Sequence, residues 1–268
     1  MTTTLDLFHT VLGPDTFASP DANTLLLLHG WGGDGREWSR HAEILADAGH
    51  RVIVPDLRGH GRSPVPDEGN TPAAMAQDLA ALVARLGAGP VIAVGHSMGG
   101  QVVNLLAVHH PDLVRSVIAL DPAHGAHGAE LDEIPRRLTA YRENGARAAV
   151  PLVAGAFSPA APAGLRTAHI RTMLGTPGHV IAQAYAGMYT EHGAVGIRPY
   201  SEAYLRRRAC PALTVWTSTE AADWERGTLR APGSRVDHWT ATGHYLHEEH
   251  PDRTVRLIEQ WAAARPAR

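Results

Sequence analysis

Residues 91–100, VIAVGHSMGG, constrain this chain more than any other stretch. Four apolar residues, mostly β-branched and closed by a glycine, predict a short buried strand. Residues 101–109, QVVNLLAVH, predict a helix lying with one face on a sheet. The strand must therefore become a helix within Gly95-His96-Ser97-Met98-Gly99. A serine on so sharp a corner has strained backbone angles and close neighbours, so the positions two before and two after it must lack a side chain. Gly95 and Gly99 meet that need. The corner lifts the Ser97 hydroxyl clear of the sheet, and the helix behind it turns amide hydrogens and the positive end of its dipole toward any anion formed there.

The rest of the chain alternates in the same way. Residues 2–12 predict an edge strand, followed by a Pro-, Asp- and Ser-rich loop to residue 23. Strands are expected at 24–28, 51–54 and 113–120, with helices at 37–48 and 71–86, the latter capped by Thr71 with Pro72 at its first position. Such alternation implies right-handed crossovers and a mostly parallel sheet with helices on both faces. From about residue 124 to 208 no run reads as a buried strand, and helical pieces such as 134–141 and 180–189 recur. Roughly 80 residues are too many for a connecting loop, so a helical insertion is expected. A strand at 210–216, a helix at 219–229, a strand at 235–240 and a closing helix at 251–264 complete the pattern. The expected organisation is a core of residues 1–123 and 209–268 carrying the insertion 124–208.

Composition excludes several classes. At 268 residues, 44% hydrophobic and 19% charged, the chain suits one large domain with a sizeable core. A net charge of -3 offers no basic surface for nucleic acid. The longest apolar run, residues 25–28, is far too short for a bilayer, so no membrane partner is expected. The N-terminus lacks a basic region followed by an apolar stretch, which predicts no secretory signal and a cytoplasmic location. Cys210 is the sole cysteine, so no internal disulfide forms. Every basic position is arginine, which excludes Schiff-base lysines, a P-loop lysine and Ser-Lys dyads. A small-molecule substrate is the expected partner, with the oligomeric state left open.

The Ser97 hydroxyl is a poor nucleophile at neutral pH; a base must take its proton, and an acid must orient the base. A histidine just after the last strand meets the serine at the carboxyl edge of the sheet. Among 17 histidines, His244 in Ala241-Thr242-Gly243-His244 stands at that place. Two other readings compete. Gly30-Trp31-Gly32-Gly33-Asp34-Gly35 satisfies G-x-G-x-x-G, with Asp56 about 20 residues on, as in a dinucleotide fingerprint of an NAD-dependent oxidoreductase. That reading leaves Ser97 and His244 without a purpose. His244, His247 and His250, like His124 and His127, are spaced by three, yet no H-E-x-x-H occurs, and no metal is expected. His247, His250, His109 and His110 read as surface or helix-end histidines. Asp56 and Arg58 read equally as organisers of a loop near the site or as a structural ion pair. Trp31 suits either substrate contact or packing.

On His29-Gly30-Trp31, Asp56-Leu57-Arg58-Gly59-His60-Gly61-Arg62-Ser63, Gly95-His96-Ser97-Met98-Gly99-Gly100 and Gly243-His244, in that order over nearly its whole length, the chain resembles the α/β-hydrolase superfamily. The resemblance implies an α/β fold, a mostly parallel central sheet flanked by helices, with a helical cap inserted after the sixth strand of the family's sheet. It implies Ser97 as nucleophile, His244 as general base and then acid, and an oxyanion hole from the backbone amides of Trp31 and Met98. The implied reaction is cleavage of a carboxylic ester or lactone through an acyl-serine, without a cofactor. The resemblance also admits carbon-carbon bond hydrolysis, perhydrolysis, lyase chemistry, or a hydrolase-like ligand-binding protein with slow turnover. The family usually carries its acid as an aspartate in a G-x-x-D pattern after the strand matched here by residues 213–216. In this sequence residues 217–220 read Thr-Ser-Thr-Glu, so Glu220 takes the aspartate's place. Asp121, which ends the strand after the nucleophile helix, is the alternative, with Asp223 behind both. Substrate contacts are expected from His124 and from Tyr185, Met188 and Tyr189, whose helical spacing suits core packing as well.

Overall fold

The computed structural model describes residues 3–14 and 23–264. Thr2 of the expected first strand, most of the expected loop before residue 23 and the last four residues of the expected core lie outside them. Seven strands, β1 (His9–Leu12), β2 (Thr24–Leu28), β3 (Arg51–Pro55), β4 (Val91–His96), β5 (Val114–Leu120), β6 (Ala212–Trp216) and β7 (Arg235–His238), form one sheet in the order β1-β3-β2-β4-β5-β6-β7. Only β1 runs antiparallel, against β3 at the edge. The order reverses between β2 and β4, and in open parallel sheets that reversal opens a crevice beyond the carboxyl ends of the two strands. His29-Gly30-Trp31 and Ser97 both follow directly from those ends.

Both faces of the sheet are covered, which is why its inner strands read as unbroken apolar runs. In β2, Leu26 and Leu28 join the core on one face, while Leu25 and Leu27 join the core on the other. Helices α1 (Ser39–Asp47) and, later in the chain, α11 (Pro251–Ala263) cover the second face; α2 (Pro72–Arg85) and α3 (Met98–His109) cover the first. Thr71 caps α2 by accepting the Ala74 N–H at 3.3 Å, with Pro72 at its start. The helix expected over 37–48 is split. A 3-10 turn at Gly35–Trp38, capped by Asp34 through the Arg36 N–H at 2.9 Å, precedes α1 and turns the Glu37 side chain inward.

The loop after β3 resolves the two readings of Asp56 and Arg58. Arg58 forms a bidentate pair with Asp78 at 2.6 and 2.7 Å, with the two side chains 2% and 0% exposed. Asp56 accepts the Gly35 N–H at 2.7 Å and the Arg62 N–H at 2.8 Å. The Asp56 carboxylate is thus consumed by two loops and has no face for a ribose, so the G-x-G-x-x-G run is a loop organiser and not a dinucleotide cradle.

Between β5 and β6 lie five helices: α4 (Glu130–Asn144), α5 (Ala146–Gly155), α6 (Ala163–Gly175), α7 (Gly178–Tyr189) and α8 (Arg198–Leu205). In chain order they follow the fifth of the seven described strands. α4 packs on α5 and α7, and the group touches the sheet's helices through α7 on α2 and α8 on α3. α9 (Thr219–Arg226) follows β6, and a short α10 (Leu246–Glu249) precedes α11. Among the described residues no helix is long and apolar enough to cross a membrane.

The corner after β4 depends on backbone approach. A Cβ on Gly95 would lie 2.2 Å from the Gly99 carbonyl oxygen, and one on Gly99 would lie 2.6 Å from the carbonyl oxygens of both Leu28 and His29. Neither contact is relieved by a side-chain shift, because both partners are backbone. We expect Gly99→Ala to cost about 3 kcal/mol or more, read as a lowered urea midpoint with an unchanged slope.

Candidate active site

Ser97 is the single residue between β4 and α3, and its backbone sits at φ 51° and ψ −116°. A non-glycine residue held there carries strain of about 1–3 kcal/mol. Three hydrogen bonds impose it: the Ser97 N–H donates to the Leu120 carbonyl at 3.0 Å, and its own carbonyl accepts from Gln101 at 3.2 Å and Ala123 at 2.9 Å. Met98 opens α3, so its N–H is among those with no carbonyl inside the helix to accept them. The loop after β2 packs against this corner, where a Cβ on Gly30 would lie 3.3 Å from the Ser97 Cβ. There His29 Nδ1 donates to the Gly30 carbonyl at 2.8 Å while Nε2 accepts the Leu57 N–H at 3.0 Å, which fixes the ring's tautomer and the loop's path. Trp31 lines the cavity, but its indole N–H donates to the Ile181 carbonyl at 3.1 Å and its ring packs on Tyr141 and Tyr185. Its side chain therefore anchors the loop to α7.

His244 follows β7 by six residues and comes to the same end of the sheet. Its N–H donates to the Ala156 carbonyl at 2.7 Å and its Nδ1 donates to Asp121 Oδ2 at 2.6 Å. With Nδ1 so engaged, Nε2 is the basic nitrogen of the neutral ring. Asp121 itself follows β5 directly with φ 41°, and its Oδ1 accepts both the N–H and the hydroxyl of Thr217 at 2.9 Å. The carboxylate is thus held by three donors and is 9% exposed. Burial alone would raise its pKa. The hydrogen bond and charge of His244, with the Thr217 donors, outweigh burial and hold the carboxyl below the usual aspartate range.

The expectation that Glu220 orients His244 is corrected by this geometry. Residues 217–218 turn at once into α9, with Ser218 as its cap, which puts Glu220 in the first turn of that helix. A carboxylate there complements the helix dipole and faces water. Its side chain is 67% exposed and pairs with His127 and, at 3.4 Å, with Arg198. Asp223 is equally remote, exposed and paired with Arg226. His247 also departs from expectation: it is fully buried, not a surface residue.

Ser97, Asp121 and His244 share the wall of a cavity of about 570 Å³ with Gly30 and Trp31. His124, Tyr185, Met188 and Tyr189 line it too. His124 is held from behind: its Nε2 lies 3.3 Å from Glu225, a fully buried carboxylate that also accepts from Thr214 and from the Trp216 indole at 2.7 Å. Burial would raise Glu225, but these donors and the charge of His124 hold it below the usual range. Glu225 and Thr217 were not marked by the sequence. Their role depends on partners about 100 residues away, and no spacing rule connects those.

A family model described as alpha/beta hydrolase fold matches residues 23–194. Over 110 residues the chain is 41% identical to lipase LipV of Mycobacterium tuberculosis, a stretch covering 41% of each chain. Over 101 residues it is 41% identical to a soluble epoxide hydrolase of Corynebacterium sp., covering 38% of this chain and 35% of that one. The chain thus spans less than half the length of these relatives. An esterase from Thermogutta terrifontis, solved with malate bound, is similar over 96% of this chain and 93% of its own at 26% identity and a TM-score of 0.79. The enol-lactonase from Burkholderia xenovorans LB400 shares the fold at 19% identity, TM-score 0.77 and 95% coverage of each chain.

The Asp121 carboxylate stabilises the fold above the unfolded aspartate pKa of about 3.9, and that share is lost as pH falls through its lower folded value. Asp121→Asn should therefore be about 2 kcal/mol less stable than the parent at pH 7. The gap should narrow as urea midpoints are followed from about pH 5 to pH 3.

Proposed function

Since the chain belongs to the alpha/beta hydrolase fold family, we propose that it cleaves a carboxylic ester or lactone through an acyl-serine intermediate, with Ser97 as nucleophile, His244 as base and then acid, and Asp121 as the orienting carboxylate. The observation that carries this reading is the 2.6 Å bond from His244 Nδ1 to Asp121, on the wall of the cavity that also holds the strained Ser97. His244 Nε2 takes the Ser97 proton, and the oxygen attacks the substrate carbonyl. The N–H groups of Trp31 and Met98 hold the resulting oxyanion, each donor contributing about 3 kcal/mol. His244 then protonates the leaving oxygen. Water, deprotonated by the same ring, attacks the acyl-serine and restores the hydroxyl.

Residues 124–208 act in this reading as a cap on a core of residues 1–123 and 209–268. Tyr185, Met188 and Tyr189 supply its apolar wall, and His124 supplies a polar point beside Asp121. Burial pushes the Tyr189 hydroxyl up, so it stays neutral and serves as a hydrogen-bonding or packing group. A cavity of about 570 Å³, lined by aromatic and aliphatic side chains together with Glu130, Arg137 and Arg198, suits an acyl group of moderate size. The similarity to a thermophilic esterase over nearly the whole chain supports the ester reading.

The test is a panel of chromogenic esters, lactones and thioesters with the wild type and three variants. Ser97→Ala should abolish turnover, and Asp121→Asn should lower kcat by about 10⁴-fold through loss of the correct imidazole tautomer. Glu220→Ala, which breaks only exposed ion pairs, should stay within about threefold. Turnover that survives Ser97→Ala removes the mechanism.

A further inference from the structure

Beside Ser97, where His96 also borders the cavity, three buried ionisable side chains meet. Glu37 comes from the 3-10 turn, His96 ends β4 and His247 lies on α10; their side chains are 2%, 1% and 0% exposed. Glu37 Oε2 accepts the Gly30 N–H at 3.2 Å, and Oε1 lies 2.7 Å from His96 Nδ1. His96 Nε2 lies 3.0 Å from the backbone carbonyl of His244. His96 thus stands between the loop that carries Trp31 and the loop that carries His244.

Donor counting decides its state. A carbonyl oxygen only accepts, so His96 Nε2 must carry a hydrogen. At 2.7 Å, Nδ1 and the carboxylate oxygen are also hydrogen-bonded, so a second proton lies between them, on the ring or on Glu37. A neutral histidine beside an ionised glutamate supplies one proton where the geometry needs two. Three ligand atoms of Glu37, His96 and His247 also fall within 4.8 Å of one another. The 2.7 Å separation is nevertheless hydrogen-bond spacing, shorter than the about 3.3 Å between ligands around a tetrahedral zinc.

We propose that Glu37 and His96 together retain one buried proton, and that this proton makes them positioning residues, tying the Gly30 loop to the His244 loop beside the nucleophile. The claim about catalysis rests on the reading of Ser97 and His244 given above; the claim about the proton does not. With the proton the pair is neutral overall, whereas without it a lone carboxylate remains in a dry site, and burial penalises that state. Burial holds the His96 imidazolium below the usual range, only partly offset by the charge and hydrogen bond of Glu37. Burial raises Glu37, and its two histidine partners bring it well below the usual glutamate range.

The surrounding groups leave this balance intact. His247 Nε2 lies 3.0 Å from Glu37 Oε1 without hydrogen-bond alignment, and burial drives its pKa well down. His41, which donates to the His247 carbonyl at 3.0 Å, is lowered by burial to about 4 and stays neutral. Glu248, 4.0 Å from His247, is paired with His169, and Asp34 acts on that pair from further out. The rings of His244 and Tyr245 lie 4.7 and 5.0 Å from His96, with Asp121 beyond His244. Burial pushes the Tyr245 hydroxyl up, so it adds no charge. Below the apparent pKa of the Glu37–His96 pair both bonds of His96 are made; above it one is lost, and the His244 loop loosens.

The test begins on the resting protein. In ¹⁵N-histidine NMR at pH 7, with His96 assigned by the signals missing from His96→Gln, Nε2 should be protonated and Nδ1 should show a strongly downfield proton shared with Glu37, absent from Glu37→Leu and retained in Ser97→Ala. A bare Nδ1 with no shared proton, or an unprotonated Nε2, overturns the proposal, whether or not the protein turns over any ester. Kinetics with the most active ester of the panel then separate positioning from packing. Glu37→Leu should lower kcat by about 30-fold at constant KM, because a loosened loop misplaces the reacting groups. Glu37→Gln, whose oxygen accepts from Gly30 and whose amide donates to Nδ1, should recover at least about a third of kcat and lack the alkaline fall expected of the parent. Equal losses in the two variants, with an unchanged alkaline limb, also overturn it. A protein with no esterase activity but a proton shared between His96 Nδ1 and Glu37 removes the hydrolase reading and leaves the buried proton standing.

Discussion

Ser97 keeps its left-handed backbone because the chain leaves β4 and enters α3 with one residue to spare, while Leu120, Gln101 and Ala123 hold that residue by its own amide and carbonyl. The contact between Gly99 and the carbonyls of Leu28 and His29 draws α3 against the end of β2. From that approach follow the position of the Met98 amide and the closeness of the Gly30–Trp31 loop to Ser97. The strain at Ser97 is offset by burial of the strands and helices on either side, whose apolar faces fill both halves of the core.

The sheet order then determines which carboxylate reaches the imidazole. β5 lies directly beside β4, and its last residue is followed by Asp121, whose φ of 41° turns the side chain back across the sheet edge. β6 lies one strand further out and leads straight into a capped helix, which carries Glu220 away into water. The loop of β6 still takes part through Thr217, which donates twice to Asp121 and lowers its pKa alongside His244. The two acidic positions therefore divide the work: one accepts, and the segment of the other supplies donors.

Buried charge recurs around the site, and each case is satisfied by several donors. Glu225 steadies His124, Asp78 holds Arg58, and Glu37 joins Gly30 to His96. Removing one partner from such a group exposes the full desolvation cost of the other, so these clusters rigidify the loops they join. Rigidity suits a centre whose groups must meet within fractions of an ångström.

The strand-to-helix corner, its two glycines and the alternation of strands and helices were legible because they follow from local periodicity and from residues that lack or restrict a side chain. His244 was legible for a related reason, since a loop after the last parallel strand has to emerge at the carboxyl edge. Whether Glu220 or Asp121 meets the imidazole was not legible. A carboxylate's reach depends on which strands are neighbours and on whether the following turn becomes a helix, and both are set by long-range pairing. The same holds for Glu37, His96 and His247, brought within hydrogen-bond range from positions up to 210 residues apart. Sequence alone settled the backbone that presents the hydroxyl. Tertiary packing decided which buried acids surround it, because a charge is kept out of water only where donors from distant segments converge on it.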